Sequence, residues 1–486
     1  MTEPLEPPPS SRYSLRILLI LFLLSLSLLN PWVRGDGIGY YALARAPLIE
    51  HAFDFTHDYQ SANSNFRDAR LDENGLPLQA FRTVTGHLDN HFTVGPAILW
   101  SPFLLLAHLA VLSARALGSS VPADGFSAPY RLAMAFATCL YGFLGLLLSY
   151  RLACKYVAER CALLATIAIW WASSLPVYMY FNPSWSHAHS AFLVALFLYD
   201  WHATRVGRAP RQWFFLALIA GLMVNVYYAN AMLLTVPAAE ALPHYRSALR
   251  RDPLSPSLSA LFLRHLLFVA ALLVCLLPTF ITRTIIYGSP FASGYIPLRD
   301  WLWRSPVFLR VLFSSNHGLL AWTPILFFSL LGLFFFARRQ PVVGIPFLLG
   351  ALAFYLFISV YPDWAGISSF GNRFFISLTP LFILGLAVFL NASARFFASR
   401  RAFQLLASSV LALFILWNLG LMFQWGTHLV PVRGPVNFRE MIANQFTVVP
   451  RSVLSHLHSY FFRRRELMRQ IEERDQQQLR QSLPPS

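Results

Sequence analysis

Charged side chains are scarce in this sequence. Of its 486 residues, only 12% are Asp, Glu, Lys or Arg, which is about half the share found in soluble domains. Hydrophobic residues make up 56% of the chain, and run after run lacks the polar face that a helix on a soluble protein carries. The shortage of charge therefore excludes an ordinary soluble protein and predicts an all-α, polytopic integral membrane protein.

Cysteine and lysine are also rare. The four cysteines, Cys139, Cys154, Cys161 and Cys275, lie in or beside apolar runs and show no CxxC spacing. This pattern argues against a disulfide framework. Lys155 is the only lysine, and we interpret the preference for arginine as genome composition rather than chemistry.

The chain carries a net charge of +16, from 38 basic and 22 acidic residues. In a soluble protein such an excess would suggest nucleic-acid binding. Here the basic residues stand mainly in short clusters between apolar runs, which is typical of loops on the cytoplasmic side of a membrane. The expected partners are therefore membrane lipids, and no nucleic-acid partner is expected.

Apolar runs and arginine clusters together predict about eleven transmembrane helices, each of about 20 residues. Residues 1–14 form a cytoplasmic N-terminal segment, and residues 15–423 form the transmembrane domain. Its first run, residues 15–29, is interpreted as an uncleaved span because no small-residue cleavage site follows it. The first outer loop covers about residues 33–128. Residues 424–486 form an amphipathic and charged tail, and the charge pattern leaves its side of the membrane open.

Two apolar segments do not fit a topology of single alternating spans. Residues 95–117 are apolar, but if they crossed the membrane, Arg151 and Lys155 would lie outside, against the charge rule. We therefore expect a juxtamembrane or re-entrant segment on the outer side, packed against protein. Residues 212–239 are expected to form a hairpin of two short helices that breaks near residues 225–230.

This topology gathers five polar stretches at the outer membrane boundary, where polar and ionisable groups are functional candidates. They are residues 35–41 (GDGIGYY), 89–96 (DNHFTVGP), 182–189 (NPSWSHAH), 287–295 (YGSPFASGY) and 362–373 (PDWAGISSFGNR).

Asp36 lies just after the first span, between Gly35 and Gly37, which allow close approach of the backbone. Tyr40 and Tyr41 follow within about one helical turn. A carboxylate shielded at the membrane boundary suits a general base. The alternative is that Asp36 is the N-cap of a helix over residues 37–48, and the two roles are compatible.

His187 and His189 share one face of an extended segment but not of a helix. We expect them to hydrogen-bond a polar ligand. Metal ligation would need partners such as His51, His57, His87 or His91, but none of these shows the spacing of a metal site. No metal site is therefore predicted.

Arg373 stands at the outer start of a span, where the charge rule disfavours arginine. Bidentate binding of phosphate would explain it, with Trp364 and Asn372 nearby. The alternatives are snorkelling to lipid headgroups and a structural ion pair with Asp363. Arg283 is a second candidate of the same kind.

Three motifs, taken with the topology, resemble the GT-C membrane glycosyltransferases, in particular the bacterial branch similar to protein O-mannosyltransferases and aminoarabinose transferases. The first is Asp-x-x-x-Tyr-Tyr at residues 36–41. The second is Phe-x-Val-Gly-Pro-x-x-x-x-x-Pro at residues 92–102, and the third is Gly-x-Arg-Phe-Phe…Leu-x-Pro at residues 371–380. The resemblance covers most of residues 15–423 and implies a GT-C-like fold with juxtamembrane helices in the first outer loop.

The resemblance also implies an activity. Such enzymes transfer a sugar, with inversion, from a polyprenyl-phosphate donor to an acceptor lipid, glycan or protein on the outer face of the cell (inner) membrane. Asp36 matches the family's base, and no cofactor is implied. Many members carry Asp-Glu at this point, where this chain has Asp36-Gly37. Members often have a second acid after span three, where this chain has His187 and His189, so Asp89 is the nearest candidate for a second catalytic acid.

The other predicted substrate-binding residues are Tyr40, Tyr41, His91, His187, His189, Arg283, Trp364, Asn372 and Arg373. Two alternative functions are a transporter and a non-catalytic scaffold. A transporter would place polar residues in the middle of its spans, whereas here they gather at one side, with residues 225–230 as the main exception. A non-catalytic scaffold that binds lipid carriers is favoured by the missing Glu and Asp.

Overall fold

The computed structural model describes residues 12–252, 256–292 and 294–482. Most of the predicted cytoplasmic segment, residues 1–14, therefore lies outside the described residues. The α-helices are α1 Arg12–Ser25, α2 Asp36–Arg45, α3 Thr56–Gln60, α4 Ser64–Arg67, α5 Gly95–Ala116, α6 Ala128–Ala153, α7 Glu159–Trp171, α8 His187–Thr204, α9 Pro210–Val226, α10 Thr235–Leu249, α11 Leu258–Cys275, α12 Leu277–Tyr287, α13 Phe308–Phe313, α14 Leu319–Trp322, α15 Leu326–Arg339, α16 Pro341–Val360, α17 Thr379–Ser393, α18 Arg400–Gly426, α19 Phe438–Thr447, α20 Val449–Phe462 and α21 Arg464–Ser482.

The described residues form helices joined by loops, and the β-structure among them is limited to isolated bridges. Six of its helices are long and apolar enough to cross a membrane: α5, α6, α11, α16, α17 with its flanking turns, and α18. Shorter apolar helices such as α9 accompany them. The protein is therefore an integral multi-pass membrane protein, as predicted, and the number of eleven spans stays a prediction.

Helix α17 lies at the centre of the bundle. It packs against α6, α7 and α15, and nearly all of its residues are buried. Two glycines allow its close contact with α15, because a Cβ atom on Gly332 or Gly385 would overlap the backbone of the other helix. Small residues at such contacts let membrane helices approach through their backbones.

The predicted helical hairpin over residues 212–239 is confirmed. Helix α9 ends at Val226, Tyr227 is extended, and a 3-10 turn over Tyr228–Leu234 leads into α10. The two asparagines of the break are buried but bonded within the chain. The amide of Asn225 donates to the Cys275 carbonyl at 2.7 Å, and that of Asn230 donates to Ser190 Oγ at 2.8 Å. These contacts give the polar groups at the break a structural role.

The bundle has two distinct ends. We call the end where α2 begins the Asp36 end. There the segment after α1 meets the connection between α7 and α8, because the backbone N–H of Asn30 donates to the Tyr180 carbonyl at 2.8 Å. Arg151, Arg205 and Arg338 lie at or beyond the other ends of α6, α8 and α15, which we call the opposite end.

Helix α5 packs along one half of α6 only. Its Trp100 donates to Thr138 at 2.9 Å, and His108 is 2.7 Å from the Tyr130 hydroxyl. Thr138 in turn donates to the Pro183 carbonyl between α7 and α8, so this half of α6 lies at the Asp36 end. The placement agrees with a juxtamembrane helix. Length and composition would also allow α5 to cross the membrane, so its predicted position stays a prediction.

The C-terminal tail, whose side the sequence left open, folds onto the Asp36 end. Tyr460 of α20 donates to the Leu28 carbonyl at 2.6 Å, and Arg464 of α21 donates to the Leu29 carbonyl at 2.6 Å. Further along α21, Asp475 forms an ion pair with Arg34. The arginines at residues 463–465 therefore share the end of the bundle that carries Asp36, because Arg464 bonds carbonyls left free at the end of the first helix.

Candidate functional site

Asp36 is the first residue of α2, and two glycines hold it close to the α7–α8 connection. Gly35 occupies the N-cap position with φ +60°, a conformation that favours glycine. A Cβ atom on Gly37 would overlap the Ser184 side chain. The alternative that Asp36 is itself the N-cap is thus wrong. Its carboxylate lies in the first helical turn, where the helix dipole favours a negative charge.

Arg373 forms an ion pair with Asp36. Its Nη2 lies 2.9 Å from Asp36 Oδ2, and its guanidinium stacks on the Trp185 ring at 4.3 Å from the centroid. The Arg373 side chain is only 10% exposed, which excludes snorkelling into open solvent. The proposed pairing with Asp363 is wrong, because the carboxylate that Arg373 contacts is that of Asp36.

Two of the guanidinium nitrogens of Arg373 remain available. Nε and Nη1 are buried and have no hydrogen-bond partner in the described chain. Buried donors of this kind are rare in folded proteins and call for an acceptor. The arrangement is therefore suited to an anionic oxygen ligand beside Asp36.

Tyr40 and His187, two of the predicted substrate-binding residues, lie beside this ion pair. Ser186 Oγ donates to the Tyr40 hydroxyl at 3.0 Å, which joins α2 to the start of α8. The His187 ring packs against Trp185, with ring centroids 6.1 Å apart, so the histidine and Arg373 share that tryptophan. His187 Nδ1 is buried without a partner.

Trp364 and Asn372 belong to the loop that carries Arg373. The Asn372 amide donates to the Trp364 carbonyl at 3.1 Å, and Asn372 Oδ1 is buried without a partner. Both residues are buried, so they shape the loop that precedes Arg373. Burial raises the pKa of Asp363 in the same loop, and the nearby Arg373 acts in the opposite direction.

Asp89 and His91 form a second cluster in the first loop. Tyr287 donates to Asp89 Oδ1 at 2.5 Å, while His91 and Arg70 lie 3.7 and 3.6 Å from Oδ2. Burial alone would raise the pKa of Asp89, but the hydrogen bonds from His91 and Tyr287 and the charge of Arg70 together lower it. The His91 ring also meets Tyr295 edge-on at 4.8 Å.

Arg283 binds the backbone of this loop. Its guanidinium donates to the carbonyls of Asn90, His91 and Phe92 at 2.7–3.1 Å and to the Tyr228 hydroxyl at 2.9 Å. All three of its nitrogens are thereby engaged within the chain. Arg283 therefore has no free nitrogen for the phosphate that it was predicted to bind. Its side chain instead fixes the first loop to α12.

Tyr41 and His189 point away from Asp36. The Tyr41 hydroxyl donates to the Gly125 carbonyl at 2.6 Å, on the far side of α2. His189 is fully buried between Trp100 and Tyr141 with the Trp185 backbone close by, and neither ring nitrogen makes a hydrogen bond of good geometry within the described part of the chain. Because α8 begins at His187, both histidines are helical and, two residues apart, do not share a face.

Trp185 and Arg433 are components of the site that the sequence analysis did not single out. Trp185 lies within the NPSWSHAH stretch and donates from Nε1 to the Arg34 carbonyl at 3.0 Å. Arg433, in the loop after α18, donates to Ser368 Oγ at 2.5 Å. Burial lowers the pKa of Arg433, and the negative charge of nearby Asp36 opposes that shift. A second guanidinium therefore lies near the carboxylate.

No group of three or more His, Cys, Asp or Glu side chains that could hold a metal ion occurs among residues 12–252, 256–292 and 294–482.

Comparison with known proteins identifies structural relatives only. No protein family and no curated protein sequence matches this chain. The archaeal oligosaccharyltransferase AglB from Archaeoglobus fulgidus, in complex with an inhibitory peptide and a dolichol-phosphate, has a TM-score of 0.51 at 14% identity over 85% of this chain and 55% of that one. A second structure of an Archaeoglobus fulgidus oligosaccharyltransferase has a TM-score of 0.50 at 17% identity, over 82% and 52% of the two chains.

ArnT from Cupriavidus metallidurans, bound to undecaprenyl phosphate, aligns with a TM-score of 0.49 at 14% identity, over 85% of this chain and 71% of that one. This chain spans about half the length of the oligosaccharyltransferases that it matches. At such low identity, the likeness to them shows the fold alone. The chain therefore has the GT-C fold of polytopic membrane proteins, as its motifs predicted.

Proposed function

We propose that the protein is a glycosyltransferase that moves a sugar from a polyprenyl-phosphate donor to an acceptor at the outer face of the cell membrane. The observation that carries the proposal is the ion pair between the half-buried Asp36 and the buried Arg373, whose Nε and Nη1 have no partner among the described residues. Similar folds in structures that hold dolichol-phosphate or undecaprenyl phosphate support a lipid-phosphate ligand.

In the proposed reaction, Asp36 takes the proton from the acceptor's nucleophilic group as that group forms a bond to the anomeric carbon. The bond between that carbon and the phosphate oxygen breaks, and the polyprenyl phosphate leaves with the electron pair. Arg373 stabilises the negative charge that grows on the leaving phosphate. No further reactant is needed to balance this transfer.

Inversion requires the base and the leaving phosphate on opposite sides of the sugar. A direct Asp36–Arg373 contact leaves no room for a sugar ring between them, so we propose that the pair separates when donor binds. The phosphate then replaces the carboxylate as the partner of Arg373. Tyr40 and His187, which lie beside the pair, are the proposed sugar contacts, and Asp89 stays a proposed second acid.

The test is analysis of lipid carriers and glycans in cells that carry either Asp36→Asn or the matched control Glu73→Gln, an exposed acid in the same loop. We expect the sugar-loaded polyprenyl phosphate to accumulate in the deletion strain and in Asp36→Asn, but not in the control. Normal carriers and glycans in Asp36→Asn cells that contain the variant at its usual level would remove Asp36 as base. No change even in the deletion strain would favour a non-catalytic scaffold.

A further inference from the structure

A cavity at the opposite end of the bundle is lined by three arginines and two histidines among other residues. Its volume is about 200 Å³, and it lies between the loop after α8, helix α10 and the start of α11. Its charged and titratable lining side chains are Arg205, Arg208, Glu240, His244, Arg264 and His265. None of them takes part in the site around Asp36.

The cavity has an excess of positive charge. Three arginines face one carboxylate, and that carboxylate is already engaged, because Glu240 Oε2 accepts from Arg208 at 3.1 Å and from Trp201 at 2.6 Å. Arg208 also stacks on Trp213 at 4.3 Å and donates its remaining nitrogens to Thr204 and to the Trp201 carbonyl. All three guanidinium nitrogens of this buried arginine are therefore engaged, so Arg208 has no free nitrogen for a ligand.

Arg205 and Arg264 provide the free charge. Arg205 Nε is buried without a partner, and neither arginine forms an ion pair with a carboxylate in the described part of the chain. His265 adds a polar edge, since its Nδ1 lies 2.9 Å from the Tyr245 hydroxyl. Two unpaired guanidinium groups around one cavity match the oxygen atoms of a phosphate.

The neighbouring surface is apolar. Helix α11 begins at the cavity and exposes Phe262 and Leu263, which are 63% and 65% accessible. Only 22% of its most apolar stretch is buried within the protein, so its outer face meets lipid chains. A ligand held in this cavity is thus in contact with both a basic pocket and the hydrocarbon region.

We infer that this cavity binds the phosphodiester headgroup of an anionic phospholipid, with its acyl chains lying along the exposed face of α11. By the charge rule, the opposite end faces the cytoplasm, where anionic lipids are attracted to basic pockets between helices. The lipid joins the α8–α9 loop to α10 and α11 and so stabilises this part of the bundle. The inference stands apart from the reaction proposed at Asp36.

The test uses the purified full-length protein in a neutral detergent, titrated with phosphatidylglycerol, phosphatidylcholine or inorganic phosphate. The measurement is the thermal unfolding midpoint at each ligand concentration. We expect phosphatidylglycerol to raise the midpoint in a saturable manner, while phosphatidylcholine and inorganic phosphate leave it nearly unchanged. Equal shifts with the two lipids would overturn the inference, and an equal shift with inorganic phosphate would assign the site to a free anion instead.

Two variants locate the effect. Arg205→Gln and Arg264→Gln should each weaken the apparent affinity for phosphatidylglycerol by roughly tenfold, because each removes a charge-assisted hydrogen bond. Arg401→Gln, an exposed arginine at the start of α18 and outside the cavity, is the matched control and should bind like the unaltered protein. Undiminished phosphatidylglycerol binding in both cavity variants would overturn the assignment. The lipid comparison on the unaltered protein holds even if a variant fails to fold.

Discussion

Arg373 gives one nitrogen to Asp36 at 2.9 Å and keeps two buried nitrogens without a partner. Asp36 stands at the start of α2, and Arg373 begins the 3-10 turn that leads into α17. The pair thus joins the first loop to the central helix of the bundle. An anion that enters this site meets a guanidinium whose position is already fixed by the Trp185 ring.

Replacing Arg373 tests whether geometry or only charge is needed. Arg373→Gln should lower kcat by roughly 100- to 1,000-fold, the usual effect of removing a group that stabilises transition-state charge. Arg373→Lys keeps the charge but loses the planar fork that can bind two phosphate oxygens, so we expect it to recover only part of the activity. The measurement is sugar transfer by purified protein with a synthetic lipid-phosphate donor. Full activity of Arg373→Gln would contradict the assignment.

The Asp89 cluster predicts a pH-dependent contribution to stability. The pKa of Asp89 is lowered in the folded protein, so its contribution is fully present above the unfolded value of about 3.8 and is lost as pH falls through the folded pKa. Asp89→Asn should therefore destabilise the protein near neutral pH by roughly 1–3 kcal/mol. Its deficit should shrink below about pH 4. Unfolding of both proteins across this range is the measurement, and a deficit that does not vary with pH would refute it.

The contact between the C-terminal tail and the first loop rests on Asp475. Its carboxylate pairs with Arg34 and lies 2.5 Å from His428 Nε2. Asp475→Asn removes the carboxylate paired with the largely buried Arg34 and leaves only the charge of nearby Glu472, so it should lower stability by roughly 1–3 kcal/mol. It should also make α21 sensitive to limited proteolysis. Glu473→Gln, on the exposed side of the same helix, is the control, and equal protease resistance of the two variants would argue against this anchor.

The sequence predicted the fold and most members of the site, but not the contacts between them. The sequence identifies both Asp36 and Arg373 as candidates. Their ion pair could not be predicted, because the residues are far apart in the chain and residue type alone does not show which side chains meet in the fold. Arg433 gave no signal, because it lies in a tail whose side the charges left open.

Local spacing did hold information about side-chain direction. Tyr40 follows Asp36 by four residues and shares its helical face, whereas Tyr41 is rotated by a further 100° or so and binds Gly125 instead. Likewise, the helical start of α8 separates His187 from His189. Burial of His189 between aromatic rings could not be inferred, because it depends on how α5 packs against α6.

His189 should contribute little to stability. Among the described residues neither buried ring nitrogen makes a hydrogen bond of good geometry, although the Trp185 backbone lies close to the ring, and a buried unsatisfied polar group costs about 1–3 kcal/mol. His189→Leu places an apolar side chain of similar size between Trp100 and Tyr141, so we expect an unchanged or higher unfolding midpoint. The unfolding midpoint of His187→Leu, a variant of the histidine beside Arg373, is measured for comparison. A large loss of stability in His189→Leu would mean that the imidazole has a polar partner.

The position of α5 gives a test of the whole topology. Because α5 packs only along the half of α6 at the Asp36 end, the loop that follows it should lie on the same side of the membrane as Asp36. Ser120, in that loop, is exposed, and Gln340 is an exposed residue at the opposite end. In a background with the four native cysteines replaced by alanine, Ser120→Cys should react with an impermeant maleimide in intact cells. Gln340→Cys should react only after permeabilisation. If Ser120→Cys also required permeabilisation, α5 would be a true span, and the sides assigned to all later loops would be exchanged.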